Sequence, residues 1–225
     1  MTVPGWFSTL AIISLASGAI CALVILADIL AGRRQHMWIM NMVWPITTLY
    51  SGPIGLWFYL RAGRTSRHHE HSTAEQPSTD WKRVALAATH CGSGCTLGDL
   101  IVEGSLAFFP LTLFGREIFA AWALDFIAAL FFGIVFQYFT IVPMRHLSPM
   151  QGIISAFKAD ILSLTVWQVG MYGWMALTTF VLFGHELEKS GPTFWFMMQI
   201  AMLAGFLTSL PVNWWLIRTG IKHPM

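Results

Sequence analysis

Four residues able to bind a cation or carry a proton share one spacing: Cys91, Cys95, Asp99 and Glu103 recur every four positions. On a helix of 3.6 residues per turn they form one stripe that drifts by ~40° per step, neighbours lying ~6 Å apart along the axis. Neighbours can therefore share a ligand in pairs. Two thiolates at i and i+4 are soft donors, which select Cu(I), zinc or an iron–sulfur centre over magnesium or calcium. His90, or a methionine from another helix, would complete the shell. Asp99 and Glu103 would balance the charge of a bound cation or pass protons. The expected metal ligands are thus Cys91, Cys95, His90, Asp99 and Glu103, the choice among these soft ions staying open at this point. The thiols alone decide little: the spacing is C-x3-C and not the C-x2-C of zinc ribbons, and free cysteines also pack as small hydrophobes. Asp99 tips the balance, because a carboxylate inside a membrane span is costly unless paired or hydrated and marks a functional path.

The elements that carry these residues must lie in a bilayer. The chain has 225 residues, a net charge of +2, 56% hydrophobic and only 11% charged residues, and a mean hydropathy of +0.61. A soluble domain carries about 25% charged residues, so a soluble enzyme and a disordered chain are both excluded. Near-zero net charge excludes nucleic acid as a partner, and three cysteines are too few for a disulfide scaffold. Six apolar runs can each cross ~30 Å of hydrocarbon. They are Trp6 to Ala31, Met37 to Leu60 (interrupted by Pro45 and Pro53), Val84 to Phe109, Ile118 to Val142, Met150 to Phe183, and Phe194 to Ile217. The expected fold is all-α: a polytopic membrane bundle of about six transmembrane helices, a single domain over residues 1–225. A polar linker, residues 61–82, separates the second helix from the third. The first residues lack a basic segment, so no cleaved secretory signal is expected.

With six crossings, Arg61, Arg64, Arg67, Lys82, Arg83, Arg145, Arg218 and Lys222 share one side, against Arg33, Arg34, Arg116 and Lys189. That asymmetry places both termini in the cytoplasm, although the Arg33-Arg34 pair argues the other way. Ser51-Gly52-Pro53 to Arg61-Ala62-Gly63 is weakly echoed by Ser209-Leu210-Pro211 to Arg218-Thr219-Gly220. Depth along the helices brings Lys158, Asp160 and Asp125 towards the stripe, Lys158 and Asp160 as a possible interfacial ion pair. Met171, Met175, Met197, Met198 and Met202 read first as core filling. His68-His69-Glu70-His71 reads as a solvated run before a metal-catching one, and His36, His146 and His185 as interfacial. Asn41, Gln137, Gln168 and Asn213 would bridge helices by hydrogen bonds.

Three segments resemble a prokaryotic integral membrane family, the domain of unknown function 4396: His90 to Asp99, Lys158-Ala159-Asp160-Ile161-Leu162-Ser163-Leu164, and Pro211-Val212-Asn213-Trp214-Trp215-Leu216. The likeness runs from about residue 35 onward. It implies an integral protein of the prokaryotic inner (plasma) membrane, supplies no activity, and carries an association with copper-handling domains. The leading expectation is a protein that binds or translocates a soft metal, copper first. A membrane thiol redox protein using Cys91 and Cys95 with a quinone or protein partner is the second, and a scaffold or assembly subunit the third. The expected partners are the lipid bilayer, a metal ion, and a second copy or another membrane protein.

Overall fold

A computed structural model describes residues 4–33, 35, 37–64, 81–145 and 148–222. They form six helices and, among the described residues, no strand: α1 (Gly5–Leu30), α2 (Met40–Phe58), α3 (Trp81–Leu106), α4 (Glu117–Arg145), α5 (Pro149–Leu177) and α6 (Pro192–Arg218). The all-α membrane bundle expected from hydropathy is what forms. The helices α1, α4 and α6 are long and apolar enough to cross a membrane. The more polar α3 buries 16 of its 26 residues. Other helices and not lipid cover it, so its surface need not be apolar.

Local chemistry sets the boundaries. Proline is preorganised for the first helical position, and both α5 and α6 open on one, Pro149 and Pro192. Ser148 and Gln151 close a capping box at the start of α5. The apolar run beyond α5 continues as one wide π-helical turn, Thr178–Leu182, in which the Phe183 N–H donates to the Thr178 carbonyl.

The path of α2 differs from the sequence expectation. In a straight helix Trp44 and Tyr59 would stand about 22 Å apart. Their rings are instead 5.4 Å apart, and Trp44 also meets Phe58 at 5.6 Å. The helix folds back on itself at Gly52, whose φ of 54° and ψ of −133° suit a residue without a Cβ. Pro53 follows and has no N–H to give the Leu49 carbonyl one turn earlier. Two half-helices result, Met40 to Ser51 and Pro53 to Phe58, the second extended by a π-helical turn, Tyr59–Gly63.

Irregular backbone at membrane depth persists only where protein satisfies it. Here Gln199 Nε2 of α6 donates to the freed Leu49 carbonyl at 2.6 Å, and Ser14 of α1 donates to Gln199 Oε1 at 2.8 Å. The hairpin therefore enters and leaves by one end of the bundle. At that end Tyr59 and Arg64 both donate to Asp28 near the close of α1, and Phe58 stacks on Trp81 at the opening of α3.

This changes the topology. Phe7 near the start of α1 packs on Phe183 and Phe196, at the far end, where α5 has finished and α6 begins. Beyond the other end of α6, Lys222 reaches the Ala87 carbonyl in the first half of α3. The start of α1 and the end of α6 thus lie at opposite ends of the bundle. The difference from six straight crossings arises because a run long enough to cross turns back at Gly52-Pro53.

Small residues bring the core helices into contact. An added Cβ on Gly94 would stand 2.9 Å from the Gly133 nitrogen, and one on Gly98 2.7 Å from the Ala129 nitrogen. Gly94-x3-Gly98 on α3 is thus pressed on Ala129-x3-Gly133 of α4, the small-residue packing typical of membrane helices. The Trp167 indole of α5 fills the space that Gly92 of α3 and Gly205 of α6 leave open.

Candidate functional site

The expected stripe forms on the inner side of α3. Cys91 and Cys95 are free thiols with almost no exposure. They share a core cluster with Tyr50, next to the fold-back of the hairpin, with Leu164 and Trp167 of α5, and with Met171, Met175, Met197, Met198 and Met202. The hairpin tip and the thiol pair therefore belong to one packed centre. The methionines, expected as filler, bring thioether sulfur into that same cluster.

One turn on, Asp99 is completely buried, and neither carboxylate oxygen has a hydrogen-bond partner. The Gln168 amide of α5 stands beside it as a weak polar neighbour, too far for a full hydrogen bond, its nitrogen and oxygen also without a partner. Next along the stripe Glu103 faces Asp125 of α4, one of whose oxygens is likewise buried without a partner. The line closes on Lys189 in the α5–α6 loop, whose Nζ lies 2.5 Å from Glu103 Oε2. Asp99, Glu103 and Asp125 thus have one ammonium along their line, held by Glu103, and with all three ionised this half of the core would be two charges out of balance.

A second polar centre occupies the linker end. Lys222 is buried there; its Nζ donates to Asn213 Oδ1 at 2.8 Å and lies 3.9 Å from Asp160 Oδ1. Asn213 Nδ2 donates in turn to Ser163 Oγ at 2.7 Å. Lys158 is exposed; the partner of Asp160 is Lys222.

His90 does not join the thiols. It turns towards α4, where its Nε2 and Thr140 Oγ1 are hydrogen-bonded at 2.9 Å and its ring meets Phe136 edge-on. Among the described residues no three His, Cys, Asp or Glu side chains come together as a metal-binding group. The His68–His71 tract, His36 and His146 lie outside the described residues. Sequence reasoning missed Tyr50, and it counted Lys189 and Lys222 only as loop charges. The one local signal was Gly52-Pro53, which marks the fold-back next to Tyr50.

A family model described as a domain of unknown function, DUF4396, matches residues 80–222. The chain belongs to this family. The DUF4396 segment is narrower than the likeness from about residue 35: it opens one residue before α3 and closes on Lys222. It holds the whole stripe with Asp125, Asp160, Gln168, the half-buried Lys189 and the buried Lys222, while α1 and the hairpin precede it. No curated protein and no solved structure matches the chain.

Proposed function

We propose that this membrane protein binds a soft metal ion, copper as Cu(I), and passes it through the bundle. The observation that carries the reading is Asp99: a fully buried carboxylate with both oxygens unpartnered, one turn beyond a pair of free thiols. Such a group stays in a membrane core only when a proton or a passing cation neutralises it. Cys91 and Cys95 are the soft ligands of this reading, and thioethers of the same cluster supplement them. Asp99, Asp125 and Glu103 carry the compensating charge.

Separate Cys91→Ser and Cys95→Ser variants are expected to abolish retention of Cu(I) by the detergent-purified protein and its flux into proteoliposomes. Cys21→Ser, in α1, should match wild type. Equal metal content in all four proteins would overturn the reading, and reversible thiol oxidation without metal would favour the redox alternative.

We further propose that the linker end faces the cytoplasm of a prokaryotic cell, the chain lying in its plasma membrane. That end carries Arg33, Arg61, Arg64, Lys82, Arg83 and Arg218, against Arg116 and Lys189 at the other. Arg33, discordant under six crossings, agrees with this arrangement. Reporter fusions at Thr73 and after Met225 should then read cytoplasmic, and one before Met1 should read the opposite compartment. A cytoplasmic signal from the third would sink the hairpin topology.

A further inference from the structure

The second arm of the hairpin, the opening turns of α3 and the later half of α6 enclose a cavity of about 490 Å³. Its walls are almost wholly apolar and include Ile54, Trp57, Trp81, Phe206 and Trp214, with Tyr50 at its inner end. Along α6 it runs from Leu203 to Trp214, a rise of about 16 Å. That is close to half of a ~30 Å hydrocarbon core, so the slot is about one leaflet deep.

The mouth is basic. One turn beyond Trp57, towards the linker end, the Arg61 guanidinium lies 5.8 Å from the centre of the Trp57 ring. One turn beyond Trp214, Arg218 stands 5.0 Å from the Trp214 ring. The two halves of the internal echo thus each supply a Trp-x3-Arg pair. Arg61, Arg218 and Lys82, which follows Trp81, are all exposed. An apolar slot one leaflet deep, with cations at the level of the headgroups, is complementary to one kind of ligand. A zwitterionic lipid would fill the slot and leave the guanidiniums without a net counter-charge. A soluble anion would meet the guanidiniums and leave the slot unfilled.

We infer that this slot binds an anionic phospholipid of the linker-end leaflet, its acyl chain against Tyr50 and its headgroup between Arg61 and Arg218. Tyr50 also packs on Trp167, at 6.0 Å between ring centres, and belongs to the cluster of the thiol pair. The bound lipid therefore braces the hairpin from its outer side. The inference does not depend on the metal reading, and its test uses metal-free protein.

The test is native mass spectrometry of the detergent-purified chain with equal amounts of phosphatidylglycerol and phosphatidylcholine bearing identical acyl chains. Phosphatidylglycerol should be favoured by about fivefold for each basic contact. The exposed substitutions Arg61→Gln and Arg218→Gln, made together, should bring the two lipids level. Leu210→Trp, which fills the slot, should lower the occupancy of both. Equal binding by wild type would overturn the inference, as would a preference unchanged in the double glutamine variant. Displacement of phosphatidylglycerol by inorganic phosphate alone would also overturn it, because the slot would then contribute nothing.

Discussion

Replacing Lys189 with methionine is expected to destabilise the folded bundle by about 3–5 kcal/mol, the usual cost of stranding one member of a buried ion pair. Lys189 and Glu103 are only 11% and 5% exposed, so little water would reach the abandoned carboxylate. Asp125 faces Glu103 and would add repulsion. The second substitution Glu103→Gln should restore most of the loss, because it removes the charge that lost its partner. Thermal unfolding in detergent of wild type, both single variants and the double completes the cycle. A cost below about 1 kcal/mol for Lys189→Met would place the pair among solvent-screened surface contacts, and Lys189 would not be the counter-charge of the acidic line.

Asp99→Asn is expected to behave in the opposite way, keeping the fold and losing the activity. Asparagine has the shape of a protonated aspartate, and neither oxygen of Asp99 has a hydrogen bond to lose. The melting temperature should therefore stay close to that of wild type. Cu(I) flux into proteoliposomes should fall about tenfold, the equivalent of one lost charge–cation contact of about 1.4 kcal/mol. Full flux through Asp99→Asn would make the residue a packing group and remove the observation on which the transport proposal rests.

Much of this architecture can be read from the residues, and the parts that cannot share a physical cause. Hydropathy measures the length of an apolar run and is silent about its path. Hence the positions of six helices emerge, while the run Met37 to Leu60, long enough to cross, gives no sign of turning back except at Gly52-Pro53. Periodicity is stronger evidence for the stripe, because a spacing of four keeps Cys91, Cys95, Asp99 and Glu103 near one face whatever the neighbours do. The same rule explains His90: one residue off the stripe, it sits about 100° round the helix and faces α4. Lys158 and Asp160 are about 200° apart, so one is exposed and the other meets Lys222. Long-range partners are a different matter. Lys189 lies 86 residues from Glu103 and Gln199 lies 150 from Leu49, distances over which no local pattern speaks.

That last pair sets an order for assembly. The hairpin is translated before α6, yet the donor for its freed carbonyl stands on α6, and Gln199 is itself held by Ser14 of α1. Until α6 arrives, the Leu49 carbonyl must find water, because hydrocarbon offers it no donor. The fold-back therefore has its full set of hydrogen bonds only when α1, the hairpin and α6 are all in place.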